Sequence, residues 1–196
     1  MPKLGMEPIR RSALVEATIH EVGLRGTLDV TVSQIAKRAG MSSALAHHYF
    51  GGKEQIFTAA MRHILGLYGA EVRGALSMAK TPRARVEAII RASFARTQFR
   101  NETVAAWLNF YVQALKSDEA SRLLHIYQRR LRSNLNHALR QMMPAAEARL
   151  VTRGLAAMID GLYLRQALRR DPLAGDAAID VMLSYLDGAL SKESAE

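Results

Sequence analysis

The sequence predicts an all-α protein. Its apolar residues recur at helical rather than alternating spacing almost throughout, glycines and hydroxyl caps divide the first sixty residues into short helices, and longer amphipathic stripes fill the rest. The first helix is read from Ile9 to Val22, with Gly23 and Gly26 as stop signals. Thr31-Val32-Ser33-Gln34 has the form of a capping box, in which the threonine hydroxyl and the glutamine side chain each satisfy a free backbone N–H. A second helix therefore starts at Val32 and stops at Gly40. Ser42 caps a third helix, Ser43 to about Phe50, which Gly51-Gly52 ends. A helix this short is marginal alone and has to be held by its neighbours. Lys53 and Glu54 lead a long fourth helix.

Beyond it, Thr81 as cap and Pro82 at the first helical position open a stripe of Val86, Ile89, Ile90, Ser93 and Phe94. Val104, Trp107, Leu108, Tyr111 and Leu115 form the next stripe, and Leu124, Tyr127, Leu131, Leu135, Ala138 and Met142 another. Pro144 separates this from a helix of about Ala145 to Arg170. Asp171-Pro172 and Gly175 then punctuate before a last helix, about Asp176 to Leu190, and the polar tail Ser191 to Glu196 is expected to fray. Gly154 and Gly161, seven apart, read as a mark of close helix packing.

Composition narrows the function classes. The 196 residues, 49% of them hydrophobic, suffice for a real core, and the absence of cysteine removes disulfides and thiolate metal sites. No signal peptide precedes the first helix and no stretch reaches the ~18 apolar residues of a membrane span, so a cytoplasmic protein without a membrane partner is expected. The net charge of +9 points to a polyanion, because each Lys or Arg laid on a phosphate releases counterions. Part of that charge, such as Arg129, Arg130 and Arg132, reads as a solvated helix face. Gly52-Lys53 is followed by Glu54 and the remaining glycine of a phosphate loop is missing. GxSxG and HExxH are absent too, so neither an enzyme nor a cofactor is expected. His47 and His48 are adjacent, point to different sides of a helix and make no metal pair.

The segment Gln34 to Leu45 has helix-turn-helix spacing. Ala36 is small where two helices cross, Gly40 takes the turn, and Ile35, Met41 and Leu45 pack beneath. The third helix is then presented to the major groove of double-stranded operator DNA. Ser43, Ala44, His47 and His48 suit base edges and thymine methyls, while Tyr49 and Lys53 suit phosphates, Lys53 at a helix start that itself favours anions. Arg10 and Arg11 open the first helix beside the backbone, and Thr31, Ser33 and Ser42 complete the candidate contacts. A general DNA-packaging protein would share the charge but has no use for the large apolar second part.

His47-His48-Tyr49-Phe50-Gly51-Gly52-Lys53-Glu54-Gln55-Ile56-Phe57, following Ile35-Ala36 and Ala39-Gly40-Met41-Ser42, resembles the DNA-binding signature of the TetR family of repressors. The stretches Met1 to Arg11 and Arg153 to Arg165, with Trp107-Leu108 and Arg130 to Asn134, are similar to the branch that represses choline-to-glycine-betaine genes. The chain departs from that pattern at Ala44, Ala46, His47 and Gly52 in the reading surface, and at Asn109, Tyr111 and Tyr163 further on. A family paralogue sensing another small cationic or hydrophobic effector is the alternative. The resemblance implies residues 1–52 as the DNA-binding domain and 53–196 as an effector-binding and dimerisation domain. It also implies a homodimer through the last two helices, whose stripe of Ile179, Met182, Leu183, Leu186 and Leu190 agrees. Choline or betaine aldehyde is the implied effector. A quaternary ammonium has no N–H to donate and is held by ring faces and a carboxylate, which nominates Trp107, Phe110, Tyr111 and Tyr163 with the acid Asp160.

Overall fold

A computed structural model describes residues 5–168 and 174–191, and within them the chain is helical without a strand. The helices are α1 (Met6–Arg25), α2 (Val32–Arg38), α3 (Ser43–Phe50), α4 (Lys53–Met78), α5 (Pro82–Ser93), α6 (Asn101–Ala114), α7 (Asp118–Leu139), α8 (Ala145–Leu168) and α9 (Gly175–Ser191). None is long and apolar enough to cross a membrane. The expected break at Asp171-Pro172, the tail beyond Ser191 and the segment Met1 to Leu4 lie outside the described residues. Two compact units emerge: Met1–Leu65 with Asn101–Ser121, and Gly66–Arg100 with Arg122–Glu196. The compact units divide within α4, the helix that follows the expected DNA-binding segment 1–52 and links it to the rest, and α6 clusters with the first unit.

In the first unit α1 continues through Gly23 to Arg25. Gly23 is no stop: a Cβ there would come within 2.5 Å of Glu102 Cβ on α6, so this glycine permits two helices to approach. Gly26, at φ 65°, closes α1 by sending its N–H to the Val22 carbonyl at 2.9 Å. The capping box of α2 is formed, with Gln34 N–H on Thr31 Oγ1 at 3.2 Å and Thr31 N–H on Gln34 Oε1 at 2.8 Å. Gly40 makes the turn at φ 66°, Ser42 Oγ accepts the Leu45 N–H at 3.2 Å, and Gly51 ends α3 at φ 82°. Leu14, Ile35, Ala36, Ala46, Ile56 and Met61 are almost wholly buried, and each large member contributes about 1.5–3 kcal/mol to holding these short helices.

The second unit is built on α5, α7, α8, α9 and the later part of α4. Thr81 Oγ1 caps α5 by accepting the Ala84 N–H at 3.1 Å, with Pro82 behind it. An aromatic nucleus of Phe94, Phe99 and Tyr163 has centroids 5.1–6.0 Å apart. Gly175 lies against it, where a Cβ would sit 2.6 Å from the Phe94 carbonyl oxygen. Gly154 faces the Tyr185 hydroxyl so closely that no side chain fits without moving it, whereas Gly161 meets no neighbour among the described residues of the chain, so of that pair Gly154 marks packing inside the chain. Two stripes run one step beyond their helices. α6 ends at Ala114, leaving Leu115 85% exposed, and α7 ends at Leu139, leaving Met142 half-buried in the following turn.

Candidate functional site

The recognition surface is assembled by two small helices and one turn. Ser43 Oγ donates to Ser33 Oγ at 2.9 Å, pinning the start of α3 to α2. Ala46 is fully buried and Leu45 half-buried, which leaves Ala44, His47 and His48 exposed on the opposite face and Ser43 half-exposed. The His47 Nδ1 atom lies 3.0 Å from the Gly51 carbonyl. A carbonyl only accepts, so Nδ1 carries the hydrogen, and in the neutral ring Nε2 is left as an acceptor. Lys53, Thr31, Ser33 and Ser42 are exposed, and Tyr49 is half-buried with its ring 5.5 Å from that of His48.

The two arginines of α1 divide their labour. Arg10 reaches the Tyr49 hydroxyl only at 3.5 Å. Arg11 donates to the Tyr49 carbonyl at 2.6 Å and lies over the Phe50 ring at 4.5 Å from its centroid, with Glu7 at 3.5 Å. This guanidinium braces the C-terminus of α3, where free carbonyls favour a cation, so the phosphate contact expected of Arg11 has to share the side chain with that bracing. A second brace lies toward the C-terminal end of α1. Glu21, 8% exposed, pairs with Arg38 of α2 and with Arg25 at 3.6 Å, and those arginines hold its carboxyl below the usual carboxylate range. The sequence signals only half of this brace, since Arg25 stands four residues after Glu21 on the same helix whereas Arg38 comes from α2.

The effector candidates separate between the units. In the first, Trp107 is 3% exposed, with the Phe110 and half-buried Tyr111 rings each 5.9 Å away, and Phe110 is wholly buried. In the second, Tyr163 donates its hydroxyl to the Ser93 carbonyl at 2.7 Å with the Gln98 carbonyl 3.3 Å off, and burial pushes its phenol pKa up. Phe110 and Tyr163 are therefore core residues here, because neither turns a ring face to open space. Asp160 instead lines a cavity of about 220 Å³ with Tyr127, Leu131, Arg132 and Arg153. The volume is below the usual 300–1,000 Å³ of drug-sized sites and suits a compact ligand. Helical periodicity marks Tyr127 as part of an apolar stripe, and its place beside Asp160 has no local signal. Its ring packs edge-on to Tyr68, 5.5 Å away, whose own phenol is pushed up to about 12 by burial. Among the described residues no group of three or more His, Asp or Glu could hold a metal ion.

The α9 stripe expected to face a twofold mate is turned inward. Ile179, Met182 and Leu186 are buried within the chain's own second unit, and Leu183 and Leu190 are half-buried. What α8 and α9 leave exposed is Leu150, Leu164, Leu168, Val181 and Tyr185.

Comparison with known proteins gives these features a family. Residues 14–60 match the description "Bacterial regulatory proteins, tetR family", and residues 82–191 match "BetI-type transcriptional repressor, C-terminal". The chain is 52% identical over 197 residues to the HTH-type transcriptional regulator BetI of Brucella melitensis, covering all of both chains. It is 52% identical to that of Rhizobium meliloti, covering 97% of this chain and 94% of the other. Among solved structures, a transcriptional regulator from Pseudomonas aeruginosa aligns with a TM-score of 0.80 at 26% identity, covering 96% of this chain and 93% of that one. A regulator from Saccharomonospora viridis, solved in complex with choline, shares the fold with a TM-score of 0.78 at 18% identity, covering 90% and 95%. These relatives are transcriptional regulators, not enzymes. With a helix-turn-helix at residues 14–60 and a BetI-type second part, the chain belongs to the TetR family of DNA-binding transcriptional regulators.

Proposed function

We propose that the protein is a cytoplasmic, homodimeric repressor of choline-to-glycine-betaine genes that leaves its operator when choline or betaine aldehyde binds. The observation that carries this reading is the full-length likeness to BetI regulators at 52% identity. On DNA, the Nε2 acceptor of His47 suits the amino group of adenine or cytosine, and Ala44 suits a thymine methyl. Ser43 and His48 flank them. Arg10, Tyr49 and Lys53, with Thr31, Ser33 and Ser42, meet phosphates, and Arg11 does so while bracing α3. The exposed Leu150, Leu164, Leu168, Val181 and Tyr185 support a twofold interface on α8 and α9, and a homodimer of this kind reads successive major grooves with its two copies of α3.

For the effector, the cavity with Asp160 and Tyr127 is the proposed seat of the quaternary ammonium, a carboxylate beside a π face. Arg132 and Arg153 at the same cavity favour an effector that also brings an acceptor oxygen, as the choline hydroxyl and the aldehyde do. Trp107 and Tyr111 on α6, with Phe110 packed against Trp107, are the further ring faces proposed to meet the effector. Tyr163 supports Asp160 from one turn away. By linkage the effector binds the DNA-incompetent arrangement more tightly, with a coupling of ~1 to 3 kcal/mol.

A footprint on the DNA upstream of the protein's own gene, repeated with choline and with betaine aldehyde, tests this. Protection of one palindrome, lost on adding either compound, is expected, together with a saturable change in the emission of Trp107, the single tryptophan. Protection that neither compound alters at millimolar concentration would reject the effector class, and a monomer at micromolar concentration would reject the dimer.

A further inference from the structure

α7 and α8 wall a second cavity, of about 320 Å³, whose lining has no carboxylate. Arg129 and Arg132 enter it from α7 and Arg149 and Arg153 from α8, with Ser133, Asn136 and Thr152 completing the wall. Four guanidinium groups around one hollow repel each other, and the nearby carboxylate of Asp160 lines the adjoining cavity with Arg132 and Arg153 but not with Arg129 or Arg149. Two of the remaining residues carry a second observation. Thr152 is 4% exposed, and its Oγ1 is buried without a hydrogen-bond partner, as is the Oδ1 of Asn136. Leaving such groups unsatisfied is unfavourable unless a ligand meets them.

We infer that this cavity is a binding site for a phosphate group, either free phosphate or the phosphate of a small ester. The planar guanidinium fork matches phosphate oxygens two at a time, so four forks suit an anion with several oxygens better than chloride. The threonine hydroxyl adds a donor. The asparagine oxygen is an acceptor, which a carboxylate or sulfate would repel, but hydrogen phosphate brings an O–H to meet it. The site is separate from the effector cavity in one testable respect: Arg132 and Arg153 line both, while Arg129 and Arg149 line only this one.

The test is calorimetric titration of the full-length protein with inorganic phosphate, glycerol phosphate and sulfate at constant ionic strength, beside an R129Q/R149Q variant. Saturable binding of phosphate or its ester, at least about tenfold weaker in the variant and weaker for sulfate, is expected, each charge-assisted bond lost being worth about that factor. Preference for the ester over free phosphate would identify a metabolite as the source, and the reverse would identify the ion. The substituted residues are exposed, and an unchanged melting profile checks that the variant is folded. Heat that does not saturate, equal binding by the variant, or equal affinity for sulfate would overturn the inference. So would a variant that binds phosphate no less well but dissociates into monomers or loses duplex DNA, since the cavity would then belong to a second copy or to nucleic acid.

Discussion

Asn109 of α6 accepts the Leu28 backbone N–H at 3.1 Å, while its own amide donates to the Gly26 carbonyl at 3.3 Å and to the Ala105 carbonyl at 2.8 Å. One side chain thus clamps the loop that joins α1 to α2, directly ahead of the capping box. The helix that carries Trp107 is tied by this clamp to the helices that read DNA, within one compact unit. Replacing Asn109 by alanine should lower stability by about 1–2 kcal/mol, since each net bond is worth roughly 1 kcal/mol. Amide exchange at Leu28 should accelerate. An unchanged Leu28 amide would show that the clamp does not hold the loop.

His47 and Lys53 should fail in different ways. His47→Ala removes an acceptor aimed at bases, so it should relax the preference at one or two operator positions at a cost of about 1–3 kcal/mol on the preferred sequence. Lys53→Ala should weaken every duplex alike and flatten the salt dependence by about one unit. Binding of a single-base operator library at several salt concentrations distinguishes them. Uniform losses in both variants would contradict this division.

Glu21 gives the DNA-reading unit an acid sensitivity. Its carboxyl pKa is depressed by Arg38 and Arg25, so the stabilisation is fully present above the ordinary carboxylate range and is lost as pH falls through the depressed folded value. Glu21→Gln should cost on the order of 1 kcal/mol at neutral pH. The gap to the unsubstituted protein should close toward low pH. Denaturant unfolding between neutral and strongly acidic pH measures it, and a constant gap would assign the cost to packing instead.

Two glycines in helix interiors should respond with opposite sign. Gly23→Ala sets a Cβ against the backbone and side chain of Glu102, so α1 and α6 must move apart at a cost of about 1–3 kcal/mol. Gly161→Ala meets no neighbour within the chain and should stabilise the protomer by about 0.5–1 kcal/mol through helix propensity. Melting temperatures of both variants decide it, and a neutral Gly23→Ala would mean that the close approach relaxes freely.

Features under local chemical control can be read from the amino acids alone. Hydroxyl caps at Thr31, Ser42 and Thr81, Pro82 at a helix start and the turn glycines Gly26, Gly40 and Gly51 act within four residues of themselves, so the all-α character and the helix-turn-helix are legible in the sequence alone. The recognition helix is legible for the same reason, since its exposed face follows from helical periodicity. Features that depend on residues distant in the chain emerge with the packing of the helices. Gly23 reads as a stop until Glu102 is seen against it, and Ile179, Met182 and Leu186 read as an interface until the chain's own second unit covers them. Asp160 gains Tyr127 and Arg153 as fellow lining residues, and Arg129 gains Arg149, only when α7 and α8 pack. A side chain's periodicity states that one face is apolar, but what buries that face is set by contacts separated by tens of residues, and no spacing rule encodes them.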